Sequence, residues 1–316
     1  MKIGIVGAGA VGGHMAARLY ASKSDVSVLA RGKTLEAIRE RGIRVRAPDG
    51  ELVAKVRASG DARELGAQDV VVFAVKAQDL PAAVENARAL FSKDTRALFV
   101  VNGIPWWYAL EGGAPASSDA GRIARVVPPE RSIGSAIYSL CSVPEPGVIE
   151  VRNPVSRLLL GDVPSGNASP VTLQLAEAFR SDAMKVEVSK DIRDPVWEKL
   201  ILLLATIPLS VLAQTTPAEL FKERACQDIS RALVAETTAV ARKLGRTVNV
   251  DVESIISSNS AHRPSILQDL DAGRRMEVDA LFTAPLEMAR EAGVPVPTLE
   301  MMTALVKVRA RTAGLY

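Results

Sequence analysis

At 316 residues, with 48% hydrophobic and 24% charged side chains, the chain has a globular composition and a length that suggests about two domains. Its formal charge of +3 comes from 39 basic and 36 acidic residues spread along the sequence. With no polybasic run, this gives no sign of a nucleic-acid-binding face. The two cysteines, Cys141 and Cys226, lie outside any CxxC spacing, so neither a zinc site nor a disulfide framework is suggested, and both are expected to be buried thiols.

The N-terminal "MKIGIVGAGAVGG" reads as a strand and a turn rather than a signal peptide, since its apolar part ends in glycines. Four continuous apolar runs, "KIGIVG", "VSVLA", "VVVFAVK" and "ALFVVNG", alternate with helical stretches such as "GGHMAARLYAS" and "LPAAVENARALF". This is the pattern of a doubly wound α/β domain with a parallel sheet buried on both faces. After Arg131 the strands become more hairpin-like ("SIGSAIYSL", "GVIEVR", "SRLLLGDV"). A helix is expected at about 171–182, with one more strand at "MKVEVS". Beyond Ile192 only amphipathic helices remain. The domain division is therefore placed at 1–190 for the nucleotide-binding part and 191–316 for an all-helical part. The longest apolar run, Leu200 to Ala213, is shorter than the roughly 20 residues a bilayer demands and contains Pro208. No membrane association is expected, and a cytoplasmic enzyme or binding protein is the class that fits.

The segment Gly7, Ala8, Gly9, Ala10, Val11, Gly12 ("GAGAVG") follows the first strand and opens the first helix, which is the context a dinucleotide fingerprint requires. Gly7 permits the tight turn, Gly9 admits a pyrophosphate close to the backbone, and Gly12 allows helix to pack on strand. The helix N-terminus offers N–H groups and a positive dipole end to the phosphates. About 20 residues on, where an NAD site would present a carboxylate to the ribose, stand Ala30, Arg31, Gly32 and Lys33. Asp25 begins the strand, at its wrong end. Arg31, by bidentate pairing, and Lys33 suit a 2′-phosphate, so NADPH is expected rather than NADH.

A ketone reductase also needs a proton donor, most often histidine. The chain has two. His14, behind the glycine turn, reads as a helix-face residue, and His262 as a solvated loop residue. A lysine serves instead if desolvation or a nearby cation lowers its pKa from about 10.4 toward neutrality. Lys199, in "DPVWEKLILLLATIPLSVL", opens an apolar helix where a crevice between domains is expected. Read alone, it fits either such a donor or an ammonium reaching out to water at a helix end.

Five motifs occurring in order, "GAGAVG", "FAVKAQD" with Lys76, "VNGIP" with Asn102, "WEKL" with Lys199 and "SILQDLDAGRRMEVD" with Ser265 and Glu277, resemble the ketopantoate reductase (2-dehydropantoate 2-reductase) family over nearly the whole chain. The resemblance implies a Rossmann domain joined to a helical domain and NADPH-dependent reduction of a 2-oxo acid in pantothenate biosynthesis. It implies that Lys199 is the general acid, that Glu277 orients the substrate or the lysine, and that Ser265 contacts the substrate. Lys76 and Asn102 would face the crevice beside the nicotinamide. The residues also admit plainer readings: Ser265 with Gln268 has capping-box spacing, Glu277 could face a helix dipole in a first turn, and Asn102 before Gly103 could make a turn. Trp106 and Trp107 are expected in the core.

Leu203 and Ile207 fall four and eight residues beyond Lys199 and share its helix face. In ketopantoate reductases these positions are typically asparagines that bind polar substrate groups, so their replacement by hydrocarbon, with Thr206 and Ser210 nearby, implies retained chemistry and altered recognition. The expected partner is a small 2-oxo acid, with a homodimer possible for a helical domain of this kind. Competing readings are a β-hydroxyacid or opine-type dehydrogenase and an NADPH-binding sensor without turnover.

Overall fold

The computed structural model describes every residue except Gly112 and Ala114, and the Glu111 side chain. The chain divides into two compact units, Met1–Val101 with Pro105–Ile192, and Asn102–Ile104 with Arg193–Tyr316.

The first unit alternates strands and helices: β1 (Lys2–Val6), α1 (Ala10–Ala21), β2 (Asp25–Leu29), α2 (Gly32–Arg41), β3 (Ile43–Ala47), β4 (Gly50–Ala54), β5 (Arg57–Ser59), α3 (Ala62–Leu65), β6 (Val70–Phe73), α4 (Leu80–Asn86) and β7 (Arg96–Phe99). There follow α5 (Trp106–Glu111), α6 (Asp119–Ala124), β8 (Ser132–Tyr138), β9 (Cys141–Glu145), β10 (Val148–Val151), β11 (Ser156–Val163), α7 (Pro170–Phe179) and β12 (Met184–Val188). Eight strands form one sheet in the order β12-β11-β8-β7-β6-β1-β2-β5. From β5 to β8 all neighbours are parallel, and β11 turns antiparallel to β8. The chain leaves β1 toward β2 and returns to its other side as β6, so the carboxyl end of β1 is the switch point where such sheets bind ligands. Every residue of β6 is buried, as expected of an apolar run with both faces covered.

A second, four-stranded sheet, β4-β3-β10-β9, was not legible in the residue pattern. It packs on the face of α1 turned away from the main sheet, and α1 contacts β1 and β2 as well as β3, β4, β9 and β10. Sandwiched in this way, α1 buries Gly12 through Ala17 and Leu19. "GVIEVR" supplies β10 of this small sheet, whereas "SIGSAIYSL" and "SRLLLGDV" pair within the large one. Trp106 and Trp107 are buried core residues.

The second unit is helical: α8 (Arg193–Ala213), α9 (Pro217–Leu220), α10 (Arg224–Lys243), α11 (Val252–Ser257), α12 (Ser265–Asp271), a π-helical turn at Asp279–Thr283, α13 (Ala284–Glu291) and α14 (Pro297–Thr312). The helix α8 is its centre and packs against α10, α11, α12 and α14. Two expectations need correction here. The apolar run beginning at Leu200 is part of a 21-residue helix that is long and apolar enough to cross a membrane by length and composition, but 61% of its apolar window is buried inside the fold. It is a core helix because its neighbours, rather than its length, account for its apolarity. Pro208 does not end it. The intrahelical bond that Pro208 cannot donate is outweighed by packing at Leu204, Ala205, Ile207 and Leu209, all buried. The cysteines are also corrected: both are free thiols and only partly buried.

Candidate active site

The glycine turn is built by close approach. Gly7 has φ +94, and a side-chain carbon there would lie 2.6 Å from a Val75 methyl and 2.8 Å from the Ala74 carbonyl oxygen. At Gly12 such a carbon would sit 1.9 Å from the Gly7 carbonyl oxygen and 3.0 Å from Ala74 Cβ. Gly7 is therefore imposed by the segment that follows β6, and Gly12 by the packing of α1 on the turn. Gly9 differs, because a side-chain carbon there would meet nothing within 4 Å. It occupies the N-cap position of α1 and provides no side-chain cap. The Gly13 N–H donates to the Gly9 carbonyl oxygen at 2.8 Å, which leaves the N–H groups of Ala10, Val11 and Gly12 outside the helical ladder. Open space above unpaired donors at a helix N-terminus suits a pyrophosphate. Ala8 is buried beneath the turn.

Arg31 caps the start of α2 at the carboxyl end of β2, with Lys33 in the first turn, and both side chains are exposed. Asp25 pairs with Lys2 at the opposite end of the strand, so the carboxyl end of β2 carries these cations and no acid from that strand. Lys76 follows β6 by three residues, partly buried, and caps a short 3-10 turn at Ala77–Asp79.

The other candidates gather in the second unit. Lys199, in α8, is partly buried. Desolvation lowers its pKa from 10.5 to about 8, and the Glu277 carboxylate opposes that shift. Glu277 is 4% exposed and lies on the irregular stretch just before the π turn. It is therefore not a first-turn carboxylate of a helix, and the charge it acts on is Lys199. Leu203 is partly buried and Ile207 is 2% exposed, so the face running on from Lys199 is hydrocarbon. Farther along, Ser210 is buried and its hydroxyl has no hydrogen-bond partner among the described residues.

Asn102 belongs to this unit with Gly103 and Ile104. Gly103 has φ +83, and a side-chain carbon on it would lie 2.2 Å from the Ala280 carbonyl oxygen. The next N–H, of Ile104, donates to that same oxygen at 2.9 Å. The turn after Asn102 is thus stitched to the π turn that follows Glu277, a tie that nothing in the residue pattern announced beyond Gly103 itself. Ser265 is the first residue of α12 rather than its cap, which is Pro264. The Gln268 amide donates to the Arg263 carbonyl oxygen at 2.8 Å, so the capping-box reading of Ser265 is overturned.

His14 is more than a helix-face residue. It is fully buried between the sheets, where Nε2 accepts from Arg18 Nε at 3.1 Å, and Nδ1 lies 3.3 Å from the Ser139 hydroxyl and 3.6 Å from Cys141 Sγ. Arg18 in turn makes a two-pronged pair with Asp49. Burial lowers the His14 pKa from 6.5 to about 4 and raises that of Cys141 from 9.0 to about 11. At neutral pH His14 is therefore neutral and Cys141 a thiol, so the network is ill suited to proton transfer or thiolate chemistry.

Comparison with known proteins agrees with this geometry. The family model for "Ketopantoate reductase PanE/ApbA" matches residues 3–164, and that for its C-terminal part matches residues 191–310. A 2-dehydropantoate 2-reductase of Mesorhizobium japonicum is 37% identical, with both chains covered in full. A crystal structure of a ketopantoate reductase-type protein from Ralstonia solanacearum superposes with a TM-score of 0.90 at 33% identity, covering 100% of this chain and 99% of that one. D-mandelate dehydrogenase, solved with NADH and anilino(oxo)acetate, shares the fold at a TM-score of 0.84 and 22% identity, with both chains covered in full. With both of its parts matched by the family's models, the chain belongs to the ketopantoate reductase family of oxidoreductases.

Proposed function

We propose that the chain is an NADPH-dependent reductase of a 2-oxo acid, acting on ketopantoate or a related, less polar 2-oxo acid, with Lys199 as general acid. The observation that carries this reading is the Lys199 ammonium, brought to a pKa of about 8 by burial beside Glu277. A donor with that pKa is largely protonated at neutral pH yet gives up its proton readily.

The residues at the glycine turn fit a dinucleotide, since Gly9 leaves room above the donors of α1. Arg31 and Lys33 would hold a 2′-phosphate. NADPH, when bound, supplies the hydride for the carbonyl carbon. As the oxygen gains charge, Lys199 gives it a proton, and the 2-oxo acid becomes a 2-hydroxy acid. Glu277 keeps enough negative charge beside the lysine for the charged form to survive burial. Asn102 and Ser265 hold the substrate's polar end, and Lys76 the nicotinamide end of the cofactor. Leu203 and Ile207 offer the substrate hydrocarbon, which favours an apolar side chain over a hydroxylated one.

The test is a panel of 2-oxo acids of graded polarity, followed by NADPH absorbance, with Lys199→Ala as control. Turnover with apolar members that is lost in the variant supports the reading. NADPH binding without turnover on any 2-oxo acid would identify a sensor instead.

A further inference from the structure

The stretch bearing Glu277 is pinned on both sides by residues far along the chain. On one side the Met276 N–H donates to the Leu315 carbonyl oxygen at 2.9 Å. On the other, the Tyr316 hydroxyl donates to Asp279 Oδ1 at 2.6 Å. The Thr283 hydroxyl donates to the same oxygen at 2.9 Å, spanning the π turn. The Arg311 guanidinium lies 5.4 Å from the centre of the Tyr316 ring, which holds the phenol against α14.

A π turn is a locally widened helix and an uncommon one, often found beside functional sites. Its geometry sets where the residues just before it point. Here the turn begins two residues after Glu277, its Ala280 carbonyl receives Ile104, and its first side chain, Asp279, is fixed from two directions. Glu277 is buried and its charge acts on the partly buried, desolvated Lys199 ammonium, so a small displacement changes the field at that ammonium far more than it would at the surface. Tyr316 is 38% exposed and plays no part in the Lys199 and Glu277 pair itself.

We propose that Tyr316 is a positioning residue: through Asp279 it fixes the π turn at Asp279–Thr283 and so keeps Glu277 aimed at Lys199. The inference rests on the reading of Lys199 as proton donor. The charged and titratable groups at the pin are Asp279, Arg311 and Tyr316 itself, and the charge acting on Lys199 is Glu277. The Tyr316 phenol is raised above its ordinary value chiefly by its bond to Asp279, so it remains a donor through neutral and mildly alkaline pH.

The test measures kcat and KM against pH for the full chain and for Tyr316→Phe, Asp279→Ala, Asp279→Asn, Glu277→Gln and Lys199→Ala, with melting temperatures alongside. Tyr316→Phe keeps the ring over Arg311 and removes only the hydroxyl. Its kcat is expected to fall about threefold to tenfold with little change in KM, a modest loss of transition-state stabilisation. Its alkaline limb should move to lower pH, in the same direction as Glu277→Gln but less far, by about 0.3 unit or more. Asp279→Ala should reproduce that shift, and Asp279→Asn, whose amide oxygen still accepts, should restore the wild-type limb. A limb that stays in place in both Tyr316→Phe and Asp279→Ala, with changes only in melting temperature, would overturn the proposal and leave the contact merely structural. Lys199→Ala separates the two levels. If it turns over at the wild-type rate, the proton-donor reading fails whatever Tyr316 does; if it is inactive while Tyr316→Phe is unshifted, only the positioning role fails.

Discussion

Gly9 and Gly12 stand three residues apart in one turn, yet the structure assigns them opposite sensitivities to the same substitution. In Gly12→Ala the new methyl carbon must sit 1.9 Å from the Gly7 carbonyl oxygen, an overlap between two backbone segments that no rotamer relieves. Overpacking of this kind costs about 1–3 kcal/mol even where side chains can yield. With backbone on both sides, a loss of about 3 kcal/mol or more is expected, a fall of at least roughly 4–5 °C in melting temperature for a protein of this size. In Gly9→Ala the methyl meets no protein atom within 4 Å, and φ at that position is −75, which alanine adopts freely. The folded protein should be as stable as wild type or gain about 0.4–1 kcal/mol from a stiffer unfolded chain. The space the methyl enters is the space assigned to a pyrophosphate, so NADPH affinity should fall at least about tenfold, roughly 1.4 kcal/mol. Thermal melts with and without NADPH, together with fluorescence titration of the cofactor, read both effects. A Gly9→Ala protein that melts normally and binds NADPH like wild type would refute the assignment of that space to the phosphates.

Glu277→Gln removes the charge that opposes desolvation of Lys199. The lysine pKa should then drop below about 8, moving the alkaline limb of kcat/KM for reduction to lower pH in a pH–rate profile, because the acid must be protonated to act. Arg31→Ala should weaken NADPH by about tenfold or more, the loss of a charge-assisted pair, and leave NADH nearly unchanged in parallel titrations. For His14, the folded pKa of about 4 lies below the unfolded 6.5, so the unfolded chain binds the extra proton first. Stability is complete above pH 6.5 and falls by about 3 kcal/mol as pH drops to about 4. Denaturant melts of His14→Gln should lack this slope.

The parallel core of the large sheet was legible because its strands are short, mostly apolar and bounded by turns, so period and context agree. The small sheet was not, because "IRVRAPDGELVA" alternates charged and apolar residues around one turn, and its partner strands β9 and β10 arrive from about a hundred residues on. The same sheet accounts for His14, whose burial depends on a partner that helical periodicity cannot show. In the second unit, Lys199 was conspicuous as an ammonium opening an apolar helix. The sign of its pKa shift was not readable, since desolvation and Glu277 act in opposite directions, and only their placement shows that desolvation prevails. The roles of Gly103 and Tyr316 arise from contacts across the chain, with Ala280 and Asp279, and have no local signature.

The central claim, that Lys199 donates the proton in reduction of a 2-oxo acid, is tested most directly by comparing wild type and Lys199→Ala under saturating NADPH with the best substrate from the panel. Cofactor affinity should be unchanged while kcat falls by about 10²-fold or more, as for a lost general acid. A variant that binds NADPH and reduces the substrate at the wild-type rate would contradict it.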